Sequence, residues 1–387
     1  MVRRSSKASS LSSVCFVSTY PPSRCGIANY TCALVEGLIA DRGPDAGIAV
    51  ARVLQPVAHL PSRRGEVIGA FRPDDPTAVT AIARRLDSYD VAVIQHEYGI
   101  YGPREGRAVR DLVDQIAVPV VTVLHTLRRE PSPLQRRIVE HLAERSLAVV
   151  VLSRAAALYL GHAYDVESDK VILIPHGALW RISARTPLLQ PVVLTWGLLS
   201  RGKGLERGIL AMEALRTLRP TPVYRIVGRT HPTVMETEGE SYRRELEELV
   251  AQRGLGDMVA FEAAYLTTED LAAVVAGCQV VLLPYLSEEQ VTSGVLSEAL
   301  GAGKPVVATR FPHAEELLGT GAGIVVDHGD VAAIGEALRT LLTDVDAYRA
   351  AASEAVRVGA ELGWSQVTRR YTELFASVSG RRATAVA

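Results

Sequence analysis

The sequence predicts an α/β protein built from two doubly wound domains, on three observations. Short runs rich in Val, Ile and Leu alternate with longer segments able to form helices. The runs are apolar almost throughout, the pattern of parallel strands covered on both faces. The alternation also occurs twice, on either side of a polar, proline-bearing segment, in a chain of 387 residues. At about 100–200 residues per domain, that length suits two.

In the first half, SVCFVST, GIAVARVL, YDVAVIQ, VPVVTVL, LAVVVLS and KVILIP read as strands. In the second half, PVVLTWG, PVYRIVG, DMVAFE, QVVLLPY and PVVATR do the same, with crossover segments such as Ser241 to Arg253 between them. PHGALWRISARTPLLQP reads as the linker, with a boundary near Pro187. The domains expected are therefore 1–186 and 187–358, followed by 359–387. The last segment holds an amphipathic helix from Glu361 to Ser379 and a loose tail, GRRATAVA.

Composition narrows the function classes. The 42 basic and 43 acidic side chains leave a formal net charge of −1, which removes the electrostatic case for a general nucleic-acid binder. No apolar run approaches the roughly 18–20 residues of a membrane span. The N-terminal MVRRSSKASSLSS leads into a strand-like VCFVST rather than a cleavable apolar stretch, so a cytoplasmic protein is expected. Cys15, Cys25, Cys32 and Cys278 lack paired metal-ligand spacing, so reduced thiols and no zinc are expected.

In open α/β sheets ligands gather at the carboxyl ends of strands. After the first strand come Pro21-Pro22, then Gly26 and an apparent helix, either a phosphate turn or a plain strand-to-helix turn. His96 and His125 end two successive strands; each alone fits a core residue, and the pair strengthens a functional reading. Arg128, Arg129, Arg136 and Arg137 fit an anionic acceptor, a membrane surface or simply a solvated face. In the second half, Gly197, Gly202 and Gly204 surround Arg201 and Lys203, a flexible cationic loop suited to a diphosphate leaving group. It lacks the Walker spacing. Thr292, Ser293 and Gly294 look like a helix start whose backbone N–H groups can hold phosphate oxygens. Glu298 lies about one turn further on, within reach of a ribose diol.

Together these segments resemble a family 4 glycosyltransferase of GT-B architecture, two facing Rossmann-like domains. The resemblance is carried by TYPPSRCGIANYT, IQHEYGIYG, VLHT, IPHG, GLLSRGKGLE, IVGRTHP, PYLSEEQVTSGVLSEALGAGKPVVAT and GWSQVTRRY. It implies a donor nucleotide in the second domain, with Lys203 on the diphosphate, Glu298 on the ribose and the backbone of Thr292, Ser293 and Gly294 facing the phosphates. It implies His125 beside the transferred sugar, Gly26 in the early turn near phosphate or acceptor, and a C-terminal helix with Trp364 that braces the first domain. The sequence departs from the family where Gln290 stands for the usual first glutamate, seven residues separating it from Glu298, just after Glu288 and Glu289. It departs again at Leu198, where many members have Arg; Arg201 is then the candidate second cation.

The activity implied is transfer of a hexosyl group from a nucleotide diphosphate sugar to an acceptor hydroxyl, with retention of configuration, no obligatory metal and no cofactor beyond the donor. The acceptor is a glycan, a lipid-linked molecule or a small molecule, which leaves room for peripheral membrane contact. The donor base and sugar stay open among GDP-, UDP- and ADP-sugars. The rival reading, motivated by Gln290 and Leu198, is a catalytically weak partner subunit that binds a nucleotide or glycan.

Overall fold

The computed structural model describes residues 12–43, 45–55, 64–179, 190–266 and 268–379. The linker expected around Pro187 and the tail GRRATAVA lie outside the described residues. The chain divides into two compact units, one of residues up to Pro175 together with those from Trp364 onward, the other His176–Gly363.

The first unit holds a seven-stranded, all-parallel sheet in the order β3-β2-β1-β4-β5-β6-β7. Its strands are β1 (Val14–Ser18), β2 (Ile48–Val53), β3 (Val67–Phe71), β4 (Val91–His96), β5 (Val120–Leu124), β6 (Ala148–Val151) and β7 (Val171–Leu173). Side chains alternate between two buried faces, as the apolar runs require. Val14, Phe16, Val91, Val93, Val121 and Val123 share one core with helices Gly26–Arg42 and Trp364–Val378. Cys15, Val17, Ala92 and Ile94 share the other with helices Pro76–Leu86, Ala108–Val113 and Pro133–Arg145.

Helix Gly26–Arg42 starts because the Cys25 sulfur accepts the Ala28 N–H, and it ends at Gly43, whose φ of 90° suits glycine and whose N–H returns to Ile39 O at 2.8 Å. The C-terminal helix lies against it. Phe375 meets Phe16 edge-on at 6.1 Å, and the Tyr30 and Tyr371 hydroxyls are 2.9 Å apart. Burying each such aromatic contributes about 1.5–3 kcal/mol.

The second unit holds a six-stranded, all-parallel sheet ordered β10-β9-β8-β11-β12-β13. The strands are β8 (Val192–Trp196), β9 (Val223–Val227), β10 (Val259–Glu262), β11 (Val280–Leu283), β12 (Val306–Thr309) and β13 (Gly323–Val326). Helices Gly294–Gly301 and Val345–Leu362 cross so closely that a Cβ on Gly359 would sit 2.2 Å from Leu300 O.

Three expectations need correction. The first boundary falls after Pro175, not near Pro187: Ala178 donates its N–H to Leu362 O at 2.8 Å and bridges Gly363, which ties residues 176–178 to the second unit. The last boundary falls after Gly363 rather than at 358, because helix Val345–Leu362 packs on helix Gly294–Gly301 and the next helix begins only at Trp364, not Glu361. Finally, β3 and β13 were not predicted. Both are edge strands, half-buried over most of their length, and glycine interrupts the apolar run of β3 and opens that of β13.

The topology also marks where ligands belong. In each sheet the chain order reverses between two neighbours, β1 and β4 in the first unit, β8 and β11 in the second. Their carboxyl ends open the crevice in which α/β sheets bind ligands.

Candidate active site

In the second unit, the loop after β8 is held by backbone approaches that admit only glycine. Gly204 has φ 59°, and a Cβ there would lie 2.0 Å from Pro284 O. Gly197 has φ 115°, and its carbonyl oxygen lies 1.8 Å from where a Cβ on Gly228 would be. The Leu286 N–H donates to Gly202 O at 3.0 Å, which fastens this loop to the one after β11. Lys203 is thereby set over the Tyr285 ring, Nζ 4.0 Å from the centroid, while Tyr285 stacks on Phe311 at 5.3 Å.

Arg201, expected beside Lys203 as a second cation, is engaged elsewhere. Its Nη atoms donate to both oxygens of Glu245 at 2.7 and 2.8 Å, its Nε donates to Glu238 at 3.0 Å, and its guanidinium covers the Tyr242 ring at 5.1 Å. A bidentate fork of this kind leaves it braced against helix Ser241–Gln252.

The segment from Gln290 to Glu298 is a helix start, as expected. Ser293 caps helix Gly294–Gly301 by accepting the Leu296 N–H on its hydroxyl at 3.3 Å. Its own N–H is taken, however, donated to Nδ1 of His313 at 2.9 Å, so the donors left at this end begin with Gly294. Gln290 folds onto the same loop, its amide donating to Thr292 O at 3.1 Å. The Thr292 hydroxyl is buried and meets no hydrogen-bond partner among the described residues.

Glu298 is half-buried one turn into the helix. Burial pushes its carboxyl up to about 7, against the opposing effect of a hydrogen bond from the Trp196 side chain at the end of β8. The diphosphate and ribose candidates, Lys203 and Glu298, thus both belong to the β8/β11 end of one sheet.

In the first unit, His125 is 8% exposed, its Nε2 lies 2.7 Å from Gln95 Oε1, and its ring meets Tyr30 edge-on at 4.8 Å. His96 lies on the opposite face of the sheet by strand alternation. It is fully buried against Tyr98, neither ring nitrogen has a hydrogen-bond partner among the described residues, and burial pushes it down to about 3, hence neutral. The two strand-end histidines therefore do not form one catalytic pair. Gly26 is the first residue of its helix, with nothing within 4 Å of a Cβ, so no steric need for glycine exists there. Arg128, Arg129, Arg136 and Arg137 are exposed.

Several residues at these strand ends escaped the sequence reading. Gln95, a polar residue inside an apolar strand, was a legible signal. Glu97 lies two residues further on, its carboxylate accepting from the Thr126 hydroxyl and from the Tyr98 N–H at 3.0 Å. Burial raises its pKa, and those bonds and Arg128 oppose the rise. Trp196, Tyr285 and His313 carried no distinguishing pattern.

All four cysteines are free, and burial pushes the thiols of Cys15, Cys32 and Cys278 up to about 12. Among the described residues, no group of three or more His, Cys, Asp or Glu is placed to hold a metal ion, and no helix is long and apolar enough to cross a membrane.

Comparison with known proteins bears on the family and the fold. Residues 25–178 match Glycosyltransferase Family 4, and residues 179–358 match Glycosyl transferases group 1. A D-inositol 3-phosphate glycosyltransferase of Corynebacterium urealyticum is 27% identical over 267 residues, 65% of this chain and 61% of that protein. The match therefore spans about three fifths of the relative. Among solved structures, HepE of Anabaena in complex with UDP and glucose aligns with a TM-score of 0.74 at 18% identity, over 95% of this chain and 100% of that one. Sucrose-phosphate synthase of Thermosynechococcus elongatus aligns with a TM-score of 0.74 at 19% identity, over 94% of this chain and 98% of that one. At such identities these structures speak to the fold alone, and the fold they share is GT-B. With the two family matches together running from residue 25 to residue 358, the chain belongs to the family 4, group 1 glycosyltransferases.

Proposed function

We propose that the protein transfers a hexosyl group from a nucleoside diphosphate sugar to an acceptor hydroxyl, with retention of configuration and without an obligatory metal, in the cytoplasm. The observation that carries this reading is the placement of Lys203 over Tyr285 on the β8/β11 side of the sheet whose next helix starts at Gly294 and bears Glu298. Lys203 and the free N–H groups of that helix supply positive charge where a diphosphate would develop negative charge as it leaves. Glu298 has the acceptor oxygens for a ribose diol. In a front-face reaction the leaving phosphate oxygen takes the acceptor proton, so no protein base is needed. His125, held by Gln95, would line the sugar side. The name of the Corynebacterium relative puts a phosphorylated cyclitol among the acceptors to screen.

The test has two stages. Thermal shift with UDP-, GDP- and ADP-sugars, with and without EDTA, identifies the donor; a ligand at 100 times its dissociation constant stabilises by about 2.7 kcal/mol. Transfer is then assayed with that donor, and NMR reads the anomeric configuration of the product. Loss of all donor binding in EDTA, restored by Mg²⁺ or Mn²⁺, or an inverted product, overturns the corresponding part.

A partner subunit without turnover is the second reading, favoured by the commitment of Arg201 to Glu238 and Glu245 and by the uncharged Gln290. Donor binding with neither hydrolysis nor transfer would select it.

A further inference from the structure

The loop that precedes helix Gly294–Gly301 is closed by one side chain from elsewhere in the unit. His313 is the second residue of helix Pro312–Leu318, which follows β12, and it is 2% exposed. Its backbone N–H donates to Gln290 O at 3.3 Å, and its Nδ1 accepts the Ser293 N–H at 2.9 Å. A single histidine thus holds both ends of the four-residue stretch Gln290–Ser293. Within that stretch the Gln290 amide donates to Thr292 O, and Val291 is buried. On the far side, the His176 ring lies against Gly294, so close that a Cβ there would be 3.0 Å from its Cε1 and Nε2.

We propose that His313 is a positioning residue of the phosphate-facing loop: by accepting the Ser293 N–H at Nδ1 while donating its own N–H to Gln290 O, it fixes the loop so that Gly294 and Val295 present the donors for the leaving diphosphate. The inference rests on the donor reading above only for the identity of the ligand.

The chemistry requires a neutral imidazole with its proton on Nε2, since a protonated ring has no acceptor at Nδ1. Burial, aided by the neighbouring His176, pushes His313 down to about 3, so the acceptor persists throughout the physiological range. An unpaired Ser293 N–H would compete for solvent or for the ligand and release the loop from its register. Preorganised donors are what makes such a site effective as charge develops.

His313→Leu removes the acceptor while keeping an apolar side chain; His313→Asn places an amide oxygen at the δ position and can restore the bond. Two measurements decide between the readings. Hydrogen exchange of the segment 286–300 without ligand should be about 10-fold faster or more at Ser293–Leu296 in His313→Leu, and near wild type in His313→Asn. Calorimetry with UDP, GDP and ADP as probes should show binding of the preferred diphosphate weakened about 10-fold in His313→Leu and regained in His313→Asn. Failure of the wild type to bind any of the three counts against the donor reading, while the exchange measurement still decides the role of His313. Unchanged exchange in His313→Leu, or equal loss in both variants, overturns the proposal and leaves His313 as packing. If His313→Leu does not fold, His313→Asn decides alone: wild-type exchange and affinity support the bond, and their loss overturns it.

Discussion

Lys203 carries its ammonium 4.0 Å above the ring of Tyr285, and the two residues come from loops following β8 and β11, strands that neighbour each other in space but are separated by more than eighty residues of chain. The contact aims the lysine without neutralising it, because an aromatic face attracts a cation but does not pair with it as a carboxylate does. A diphosphate entering this crevice would meet an undiminished charge.

Lys203→Ala is therefore expected to weaken binding of the nucleoside diphosphate about 10- to 150-fold, the worth of a charge-assisted hydrogen bond. The fold should survive, since the side chain is only half-buried. Calorimetry on the folded variant checks this; wild-type affinity would remove Lys203 from the site.

The lysine depends on its glycine. Gly204→Ala combines a left-handed backbone, costing about 1–2 kcal/mol, with a Cβ driven onto Pro284 O. Melting of the purified variant should fall by several degrees and donor affinity should fall with it. An alanine variant with wild-type melting and affinity would show that this close approach between the loops does not exist in solution.

If Glu298 holds the donor ribose, donor binding is proton-linked. Its folded pKa of about 7 stands above the ordinary value near 4.5, so the protonated form is favoured in the free protein. The stabilisation this gives the fold is complete below about pH 4.5 and is lost as pH rises to about 7. Ribose hydroxyls donate to the ionised form, so donor affinity should rise as pH rises, by about 10-fold between pH 6 and pH 8. Glu298→Gln should flatten that dependence. An equally steep profile in the variant would assign the proton to another group.

If His125 lines the sugar pocket, His125→Ala lowers turnover more than affinity for the bare nucleoside diphosphate. Gln95→Leu should follow the same pattern more weakly, because Gln95 acts through the 2.7 Å contact with His125 Nε2. Steady-state kinetics beside calorimetry separates the two quantities, and parallel loss of both returns His125 to a structural role.

Gln290 is expected to act on sugar choice, not on the diphosphate. Its Nε2 is spent on Thr292 O, which leaves Oε1 for a hydroxyl. Gln290→Ala should reduce transfer by about 1–3 kcal/mol while leaving nucleoside diphosphate affinity nearly unchanged. Gln290→Glu sets a carboxylate against the Thr292 carbonyl, so it should loosen the loop and alter the relative rates with different donor sugars. Unchanged rates and preference in both variants would shift attention to Glu288 and Glu289.

By itself the sequence determined the two doubly wound halves, because each central strand is a continuous apolar run buried on both faces and needs no distant information to be read. It also marked the glycine-flanked Lys203 loop and the Ser293 cap, whose chemistry lies in neighbouring residues. What only the tertiary structure decided depends on contacts between distant parts of the chain. The commitment of Arg201 to Glu238 and Glu245, the seizure of the Ser293 N–H by His313, and the lift of Glu298 by burial beside Trp196 have no local signature. The same holds for the unit boundaries, set where Ala178 pairs with Leu362 and where Phe375 meets Phe16. Hydrogen bonding and desolvation act at a few ångströms through space, so a group's neighbours along the chain leave its charge and its availability undetermined until the strands are laid side by side.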